Sequence, residues 1–436
     1  MQRLSTYTKP AKELFALAMP MIMGNLGMIL IGAGDVFVAA KHSTNTLAAI
    51  SIANSIMSCI FMFGIGLLIS ISPLLSNFRG AKNNVKKYFL PTINFAMFLA
   101  LISCILALLT IPLIEKMGFE PILIPTIKKY IFITSFSAFG AYLQIALKEY
   151  LQAFEIVLFP NFLNLIAVVL HLFLDFAFVF GLFGCPKMGA IGLAVATIVS
   201  RTIFGILMLI YCLKFTKFHK YRDFGYFIAL FKVGFPIAMA IMIEFAAFNI
   251  ITIIVGRISG IYAASQSILI TITTATFMIP MAISNAIAVK VGFANGAGNF
   301  TDLKRYSIAG VAVSILFMSV CACAFIFFPK FFITIFTKDP VLIKICVPIL
   351  FLAGIFQVFD GLQVSLGGVF KGLKQTKIIM LGDFAAYWLI GIPLGFLLAF
   401  RYHLILFGFW IGLTIAIFSL SVILLFVLLN KFKKLA

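Results

Sequence analysis

Residues 20–40 read Pro20-Met-Ile-Met-Gly-Asn-Leu-Gly-Met-Ile-Leu-Ile-Gly-Ala-Gly-Asp35-Val-Phe-Val-Ala-Ala40. This segment indicates the fold class, because it is apolar and long enough to cross a lipid bilayer. It also contains a carboxylate, Asp35, and a proline, Pro20, that removes a backbone hydrogen bond from a helix. A charged side chain at the centre of a bilayer costs at least about 2.5 to 3.5 kcal/mol. No basic residue in the stretch offsets this cost. Asp35 is therefore the first candidate functional residue, and Pro20 predicts a point at which the helix bends.

The whole chain shares this apolar character. Of its 436 residues, 63% are hydrophobic and 11% are charged, whereas a soluble domain has about 25% charged residues. The apolar runs are continuous and do not alternate with polar residues, so they indicate spanning helices and not a β-barrel. We predict twelve spans, at 13–40, 46–77, 89–114, 129–150, 157–184, 188–213, 232–257, 262–290, 306–329, 342–370, 377–400 and 403–430.

The net charge of +20 reflects membrane topology. Basic residues form short clusters between the apolar runs, and one set of alternate loops holds about twice as many as the other. The positive-inside rule then places both termini in the cytoplasm. The same distribution argues against a nucleic-acid partner, which would need a basic face.

Cysteine and histidine residues are scattered. The seven cysteines have no CxxC spacing, so neither a disulfide framework nor a metal site is expected. The four histidines form no HExxH pattern, and no GxSxG segment is present, so the chain is not predicted to be an enzyme. The first apolar run is too long for a signal peptide and is interpreted as a retained helix.

The two halves of the chain resemble each other weakly. Pro20 and Pro236 are 216 positions apart, and Arg79-Gly-Ala-Lys-Asn-Asn is similar to Asn295-Gly-Ala-Gly-Asn-Phe at the same offset. A basic segment that begins at Lys214 separates the halves. We therefore predict an all-α integral membrane protein with two six-helix lobes, residues 1–220 and 221–436, related by a pseudo-two-fold axis along the membrane normal. Such parallel repeats are a transporter architecture, with the site near the midplane.

Five carboxylates fall well inside the predicted spans: Asp35, Asp175, Glu244, Asp360 and Asp383. Burial favours the neutral form of a carboxyl group, so proton binding is a possible working step. Membrane carboxylates are functional candidates because their burial is costly.

The fifth span places Asn164, His171 and Asp175 on one helical face, because they are seven and four residues apart. His171 and Asp175 could share a proton or bind a small cation. Alternatively, His171 is a packed histidine that bonds a backbone carbonyl, and Asp175 has a partner at the helix end.

The second half of the chain contains three of the five intramembrane carboxylates. Glu244 has no basic residue in reach along its helix, and Asp360 shares a stripe with Gln357. Asp383 lies close to Lys377 in sequence, which favours a structural ion pair over a functional role.

Several segments, in order, resemble the multidrug and toxic compound extrusion (MATE) transporters. They are Ala-Met-Pro20-Met-Ile-Met-Gly-Asn with Asp35, Ser-Pro73-Leu followed by Arg79-Gly-Ala, Leu174-Asp175-Phe-Ala-Phe-Val-Phe-Gly181, Met188-Gly-Ala-Ile-Gly192, Glu244, Asp360 and Tyr387-Trp-Leu-Ile-Gly-Ile-Pro393-Leu-Gly. Having both acidic sets points to the bacterial NorM-like branch.

The resemblance implies a secondary active antiporter of the bacterial cytoplasmic membrane. Members of the family exchange H⁺ or Na⁺ for an outward-moving cationic or amphipathic organic compound by alternating access of the two lobes. It also implies a monomer with no cofactor besides the coupling ion. The implied coupling residues are Asp35, His171, Asp175, Glu244 and Asp360, with Asn164, Gln357 and Asp383 as secondary candidates.

One residue departs from the family pattern, and one rival function remains. Relatives usually have Asn where this chain has His171, and an imidazole titrates near neutral pH and is a poorer Na⁺ ligand than an amide oxygen. His171 therefore favours protons at this site. The rival function is a lipid-linked precursor flippase of the same superfamily, but such proteins line their cavity with several basic residues. In this chain Arg201 is the only basic residue that lies well inside a predicted span, which disfavours the flippase.

Overall fold

The computed structural model describes residues 2–218, 221 and 223–434, and side chains from Tyr7 onward. All elements in these residues are helical. In chain order the α-helices are α1 Gln2–His42, α2 Thr44–Leu68, α3 Ile71–Gly80, α4 Phe89–Thr110, α5 Ile124–Ser135, α6 Ser137–Gln152, α7 Leu158–Phe180, α8 Ala190–Leu213, α9 Phe224–Ile258, α10 Gly260–Gly296, α11 Phe300–Phe327, α12 Pro329–Thr334, α13 Pro340–Gly372, α14 Thr376–Asp383, α15 Ile392–Phe396 and α16 Ile405–Lys434. Short 3₁₀ helices span Val85–Tyr88 and Ile111–Met117, and π-helical segments span Phe384–Gly391 and Leu397–Arg401.

The predicted all-helical membrane class is confirmed. In the described part of the chain, eleven helical segments are long and apolar enough to cross a membrane, or twelve if one bent pair counts as a single span. That pair, α5 and α6, corresponds to the predicted span 129–150, which we expected to be continuous. The two helices meet at Phe136 with a bend of 41°. Ser135 Oγ donates to Phe132 O over 2.7 Å at this point, and such back-bonding hydroxyls often bend helices.

The internal repeat is visible in how helices begin. Ser43 caps α2 by accepting from Thr46 N, and Ser259 caps α10 by accepting from Ile261 N. The two serines are 216 positions apart, the same offset as Pro20 and Pro236. Each has an extended backbone, which is the usual N-cap geometry, and each replaces a hydrogen bond that the first helical turn lacks.

The helices pack into two compact units. One, here called the Asp35 unit, consists of Pro20–Arg79 and Asn83–Ala238. The other, the Glu244 unit, consists of Met1–Met19, Gly80–Lys82 and Met239–Ala436. Both α1 and α9 contribute to each unit. The predicted division after Lys220 falls outside the described residues and stays a prediction.

Glycines set the closest helix packing in the Glu244 unit. A Cβ atom on Gly368 of α13 would lie 2.4 Å from Ser284 O of α10, and one on Gly372 would lie 2.9 Å from Gly292 N. Small residues four apart let two backbones approach, and this packing replaces the hydrophobic driving force that is missing between helices in lipid.

Gly368→Ala should lower the apparent melting temperature of the protein in detergent, because overpacking typically costs about 1–3 kcal/mol. Gly367→Ala is the matched control, since its Cβ would meet only Ile379 Cδ1, at 3.9 Å. The control should be neutral or slightly stabilising, because alanine favours a helix over glycine. Size-exclusion chromatography after heating measures both variants, and equal melting temperatures would contradict the packing argument.

Candidate functional site

Asp35, His171 and Asp175 come together in the Asp35 unit, as the sequence predicts. Asp35 lies on α1, and the other two lie one turn apart on α7. His171 Nε2 is 2.8 Å from Asp35 Oδ1 and 3.5 Å from Asp175 Oδ2. The imidazole therefore stands between two carboxyl groups.

Glycines on α1 bring Asp35 to this position. Added Cβ atoms on Gly24 and Gly34 would lie 2.2 Å from Asn161 Oδ1 and 2.3 Å from Leu172 Cδ2, both on α7. Gly27 also faces α7, since a Cβ atom added there would lie 3.4 Å from Asn164 O. The backbone of α1 can thus lie directly against α7, and Asp35, next to Gly34, meets His171.

Ser200 of α8 fixes the other side of the imidazole. His171 Nδ1 lies 2.8 Å from Ser200 Oγ. A neutral imidazole has one donor and one acceptor nitrogen, and a hydroxyl serves either role. Both ring nitrogens are therefore occupied whether His171 is neutral or protonated, since the serine can accept from the protonated ring.

Asp175 is the most enclosed member of the group. Its side chain is 0% exposed, and neither carboxyl oxygen has a hydrogen-bond partner among the described residues. One ligand atom from each of Asp35, His171 and Asp175 lies within 4.8 Å of the others, a spacing that could hold a cation. A buried carboxylate that makes no hydrogen bond is costly, so this arrangement suits a bound proton or a small cation.

Two further polar side chains lie in the electrostatic environment of Asp35. Tyr130 Oη donates to Asn54 Oδ1 over 3.1 Å. Arg201 Nη1 donates to Ser137 Oγ over 2.9 Å, and its guanidinium carbon is 5.6 Å from the centre of the Phe61 ring. The structure shows no ion pair between Arg201 and Asp35 among the described residues, so the carboxyl groups keep their capacity for another cation.

Asn164, a secondary candidate on the same face of α7, belongs to a separate contact. Its Oδ1 accepts from Gln144 Nε2 over 2.9 Å, and its side chain is buried. No described hydrogen bond joins it to His171 or Asp175.

A second acidic centre lies in the Glu244 unit. Tyr387 Oη donates to Glu244 Oε1 over 3.3 Å, and Trp388 Nε1 donates to Ile243 O over 3.2 Å, so the π-helical segment Phe384–Gly391 is tied to α9 at two successive residues. Asp360 of α13 is buried, and its Oδ1 has no described hydrogen-bond partner. Glu244, Asp360 and Asp383 interact electrostatically with one another.

Asp383 is placed differently from our expectation. It is buried and accepts from Gln363 Nε2 over 3.3 Å, and no ion pair to Lys377 occurs among the described residues. The basic residue in its electrostatic environment is Lys371. Gln357 Nε2 donates to Thr276 Oγ1 over 2.8 Å, and no described hydrogen bond joins Gln357 to a carboxyl group.

The sequence did not single out Ser200, Gln363 or Tyr387. A serine, a glutamine or a tyrosine in a spanning helix is not costly enough to stand out. The only sequence signals were indirect: Ser200 precedes the intramembrane Arg201, and Tyr387 begins a segment that carries the family resemblance.

Comparisons with known proteins agree with the predicted family and with the internal repeat. A MatE family model matches residues 20–177 and again residues 236–397. The two matches begin at Pro20 and Pro236 and so follow the predicted repeat. The matched segments also contain all five predicted coupling residues.

Two curated relatives cover nearly the whole chain. The probable multidrug resistance protein NorM of Mesorhizobium japonicum is 29% identical over 427 residues, or 94% of this chain and 91% of the relative. The multidrug resistance protein NorM of Photobacterium profundum is 26% identical, over 97% of this chain and 95% of the relative.

Solved structures share the fold. The eukaryotic MATE transporter AtDTX14 superposes with a TM-score of 0.88 at 22% identity, covering 99% of this chain and 98% of that chain. A MOP superfamily transporter from Pyrococcus furiosus gives 0.90 at 16% identity, covering 98% and 96%. The relatives are named as transporters and multidrug resistance proteins, in agreement with the prediction that this chain is not an enzyme. With its two family-model matches, its helical spans and its paired acidic centres, the chain belongs to the MATE family.

Proposed function

We propose that this protein exports cationic or amphipathic organic compounds in exchange for H⁺, with Asp35, His171 and Asp175 as the coupling site. The proposal is supported by the names of its relatives, which are multidrug resistance proteins. The observation that carries it is the buried group itself: two carboxyl groups on one imidazole, inside spans that are apolar enough to cross a membrane.

Protons suit this group better than Na⁺. Na⁺ prefers oxygen ligands, whereas His171 places an imidazole nitrogen, which can donate or accept a proton, at the centre of the group with its Nε2 toward both carboxyl partners. Proton uptake changes the hydrogen bonds that join α1 to α7. Since α1 passes through Pro20, where one backbone hydrogen bond is missing, this change can alter the bend of α1 and so the access of the site to either side of the membrane.

The Glu244 centre supplies a second step of cation binding. Glu244 and Asp360 are both inside spans, and their mutual repulsion favours a bound positive charge. We assign this centre to the organic cation or to a second proton, released in alternation with the proton at Asp35.

The proposed setting follows from topology and from the relatives. The protein lies in a bacterial cytoplasmic membrane with both termini in the cytoplasm, acts as a monomer and needs no cofactor besides the coupling ion. The flippase alternative is disfavoured, because Arg201, the basic residue well inside a predicted span, is engaged by Ser137 and Phe61.

Asp35→Asn should reduce efflux of the cationic dye ethidium from whole cells by at least about tenfold, because an amide takes up no proton and carries no negative charge at this position. The protein should still reach the membrane at normal levels, which immunoblotting checks. Asp339→Asn is the matched control, since Asp339 is an exposed N-cap and asparagine caps a helix equally well. Undiminished efflux by the Asp35 variant would remove Asp35 from the coupling site.

In proteoliposomes, an imposed pH gradient should drive ethidium transport and an imposed Na⁺ gradient should not. His171→Asn should reduce the pH-driven rate about tenfold, because an amide side chain cannot take up a proton as an imidazole can. Ser200→Ala removes one hydrogen bond from the ring and leaves the imidazole in place, so a loss of only about fivefold is expected. Transport that follows the Na⁺ gradient alone would contradict proton coupling, and full pH-driven activity of His171→Asn would contradict the role of the imidazole.

A further inference from the structure

A row of three open acceptor oxygens runs along α13 in the Glu244 unit. Gln357 Oε1, Asp360 Oδ1 and Gln363 Oε1 are buried and have no hydrogen-bond partner among the described residues. The three residues are at most 5% exposed. Successive members are three positions apart, so they are neighbours on the helix surface, and each step rises about 4.5 Å. The row therefore continues past the acidic centre toward the end of α13 at Gly372.

Asp383 lies where this row meets α14. Gln363 Nε2 donates to Asp383 Oδ1 over 3.3 Å, which uses the amide nitrogen and leaves the amide oxygen open. Asp383 is the last residue of α14, and Tyr387, four residues later, donates to Glu244 Oε1 over 3.3 Å. Asp360, Gln363 and Asp383 thus belong to one polar cluster that is connected to Glu244. The coupling mechanism above gives no role to Gln363 or Asp383.

The packing beside this cluster leaves room for water. Gly367 follows Gln363 by one turn and is buried, and a Cβ atom added to it would meet only Ile379 Cδ1 of α14, at 3.9 Å. A methyl group would therefore fit beside Gly367, and a water molecule occupies a similar volume. Buried acceptor oxygens without a protein donor are typical positions of internal water. The row and this space together indicate a hydrated path between α13 and α14.

The charged and titratable side chains around Asp383 come from three elements of the Glu244 unit. They are Glu244 of α9, Asp360 and Lys371 of α13, and Tyr387 of the π-helical segment. Helix α16 also packs against α14, but its residues 405–430 contain no charged side chain. Lys371 is one turn beyond Gly367, toward the end of α13. Asp383 therefore lies between a carboxyl group deep in the span and the end of the helix, and chains of intramembrane carboxyl groups are typical of proton relays.

We propose that Asp383 is the proton relay between the Glu244 centre and the cytoplasm, and that Gln363 holds the water along which the proton moves. A proton leaves the carboxyl group of Asp360, passes through water bound to Gln363 Oε1 and protonates the Asp383 carboxylate. Asp383 then gives the proton to water beyond Gly367. The first transfer leaves a carboxylate at Asp360, and the second restores the carboxylate at Asp383, so charge balances. This inference rests on the proposed exchange of organic cations for protons, and it assigns the second proton to the Glu244 centre.

Two assays on the reconstituted full-length protein separate proton transfer from movement of the organic cation. Net uptake of radiolabelled ethidium, driven by a pH gradient, requires protons to enter and leave the protein. Exchange of labelled for unlabelled ethidium, at equal concentration and equal pH on both sides, requires no net proton transfer. A relay residue is needed for the first assay only, whereas a residue that holds the fold together is needed for both.

Asp383→Asn should lower the pH-driven rate at least about tenfold and retain exchange, because the amide keeps the shape of the side chain but takes up no proton. Gln363→Met should lower the pH-driven rate about fivefold and retain exchange, since it removes the amide that contacts Asp383 and holds the water. Lys377→Gln is the matched control, because Lys377 is exposed on α14 and forms no ion pair with Asp383 among the described residues. It should keep both rates.

Three results would overturn the relay in a preparation whose parent chain transports ethidium with the pH gradient. One is an undiminished pH-driven rate in Asp383→Asn. The second is an equal fall of both rates in that variant, which indicates a structural role. The third is an undiminished pH-driven rate in Gln363→Met, which removes the hydrated path. A parent chain without any pH-driven transport would instead contradict the proposed function, and the relay would fail with it.

Discussion

Two carboxyl groups that share one imidazole inside a membrane constrain everything around them. Burying a single uncompensated carboxylate is expensive, and Asp35 and Asp175 approach His171 to 2.8 and 3.5 Å within apolar spans. Such a group is tolerable when a proton or another cation is bound, and it becomes strained when that cation leaves. In the proposed mechanism, the cost of the empty state allows the binding of one cation to influence the rest of the protein.

Helix packing links the acidic site to the positions of α1, α7 and α8. Glycines of α1 allow its backbone to lie on α7, so the backbone at Asp35 cannot move relative to His171 without moving a helix. Ser200 holds the opposite ring nitrogen, so α8 is part of the same contact. In the Glu244 unit the carboxyl groups are dispersed over α9, α13 and α14. Tyr387 donates a hydrogen bond to Glu244, and Gln363 donates one to Asp383. The two acidic centres are thus unlike in construction although they lie in halves of similar sequence.

Much of this could be predicted from the sequence, for identifiable reasons. Hydropathy determines the spans because lipid permits few alternatives to a helix, and the intramembrane carboxylates stand out because they are costly. The spacing of His171 and Asp175 placed them on one face, and the resemblance to the family added Asp35. The bend between α5 and α6 was not predicted, since neither proline nor glycine stands at Phe136, and a serine hydroxyl that bonds its own helix, as Ser135 does, is a weak sequence signal. Ser200 and Gln363 were missed because their roles arise only from contacts between distant segments. The predicted ion pair between Asp383 and Lys377 was wrong for a related reason, because closeness in sequence does not show which helix packs against Asp383.

The most direct test of the account is whether binding of an organic cation releases a proton from the purified protein. Ethidium added to detergent-solubilised protein in a weakly buffered solution with a pH indicator should release about one proton per protein, because two ligands that exclude each other are linked reciprocally. The account predicts this release for the parent chain and its loss in Asp35→Asn. Saturable ethidium binding with no proton release would contradict proton coupling at the Asp35–His171–Asp175 site.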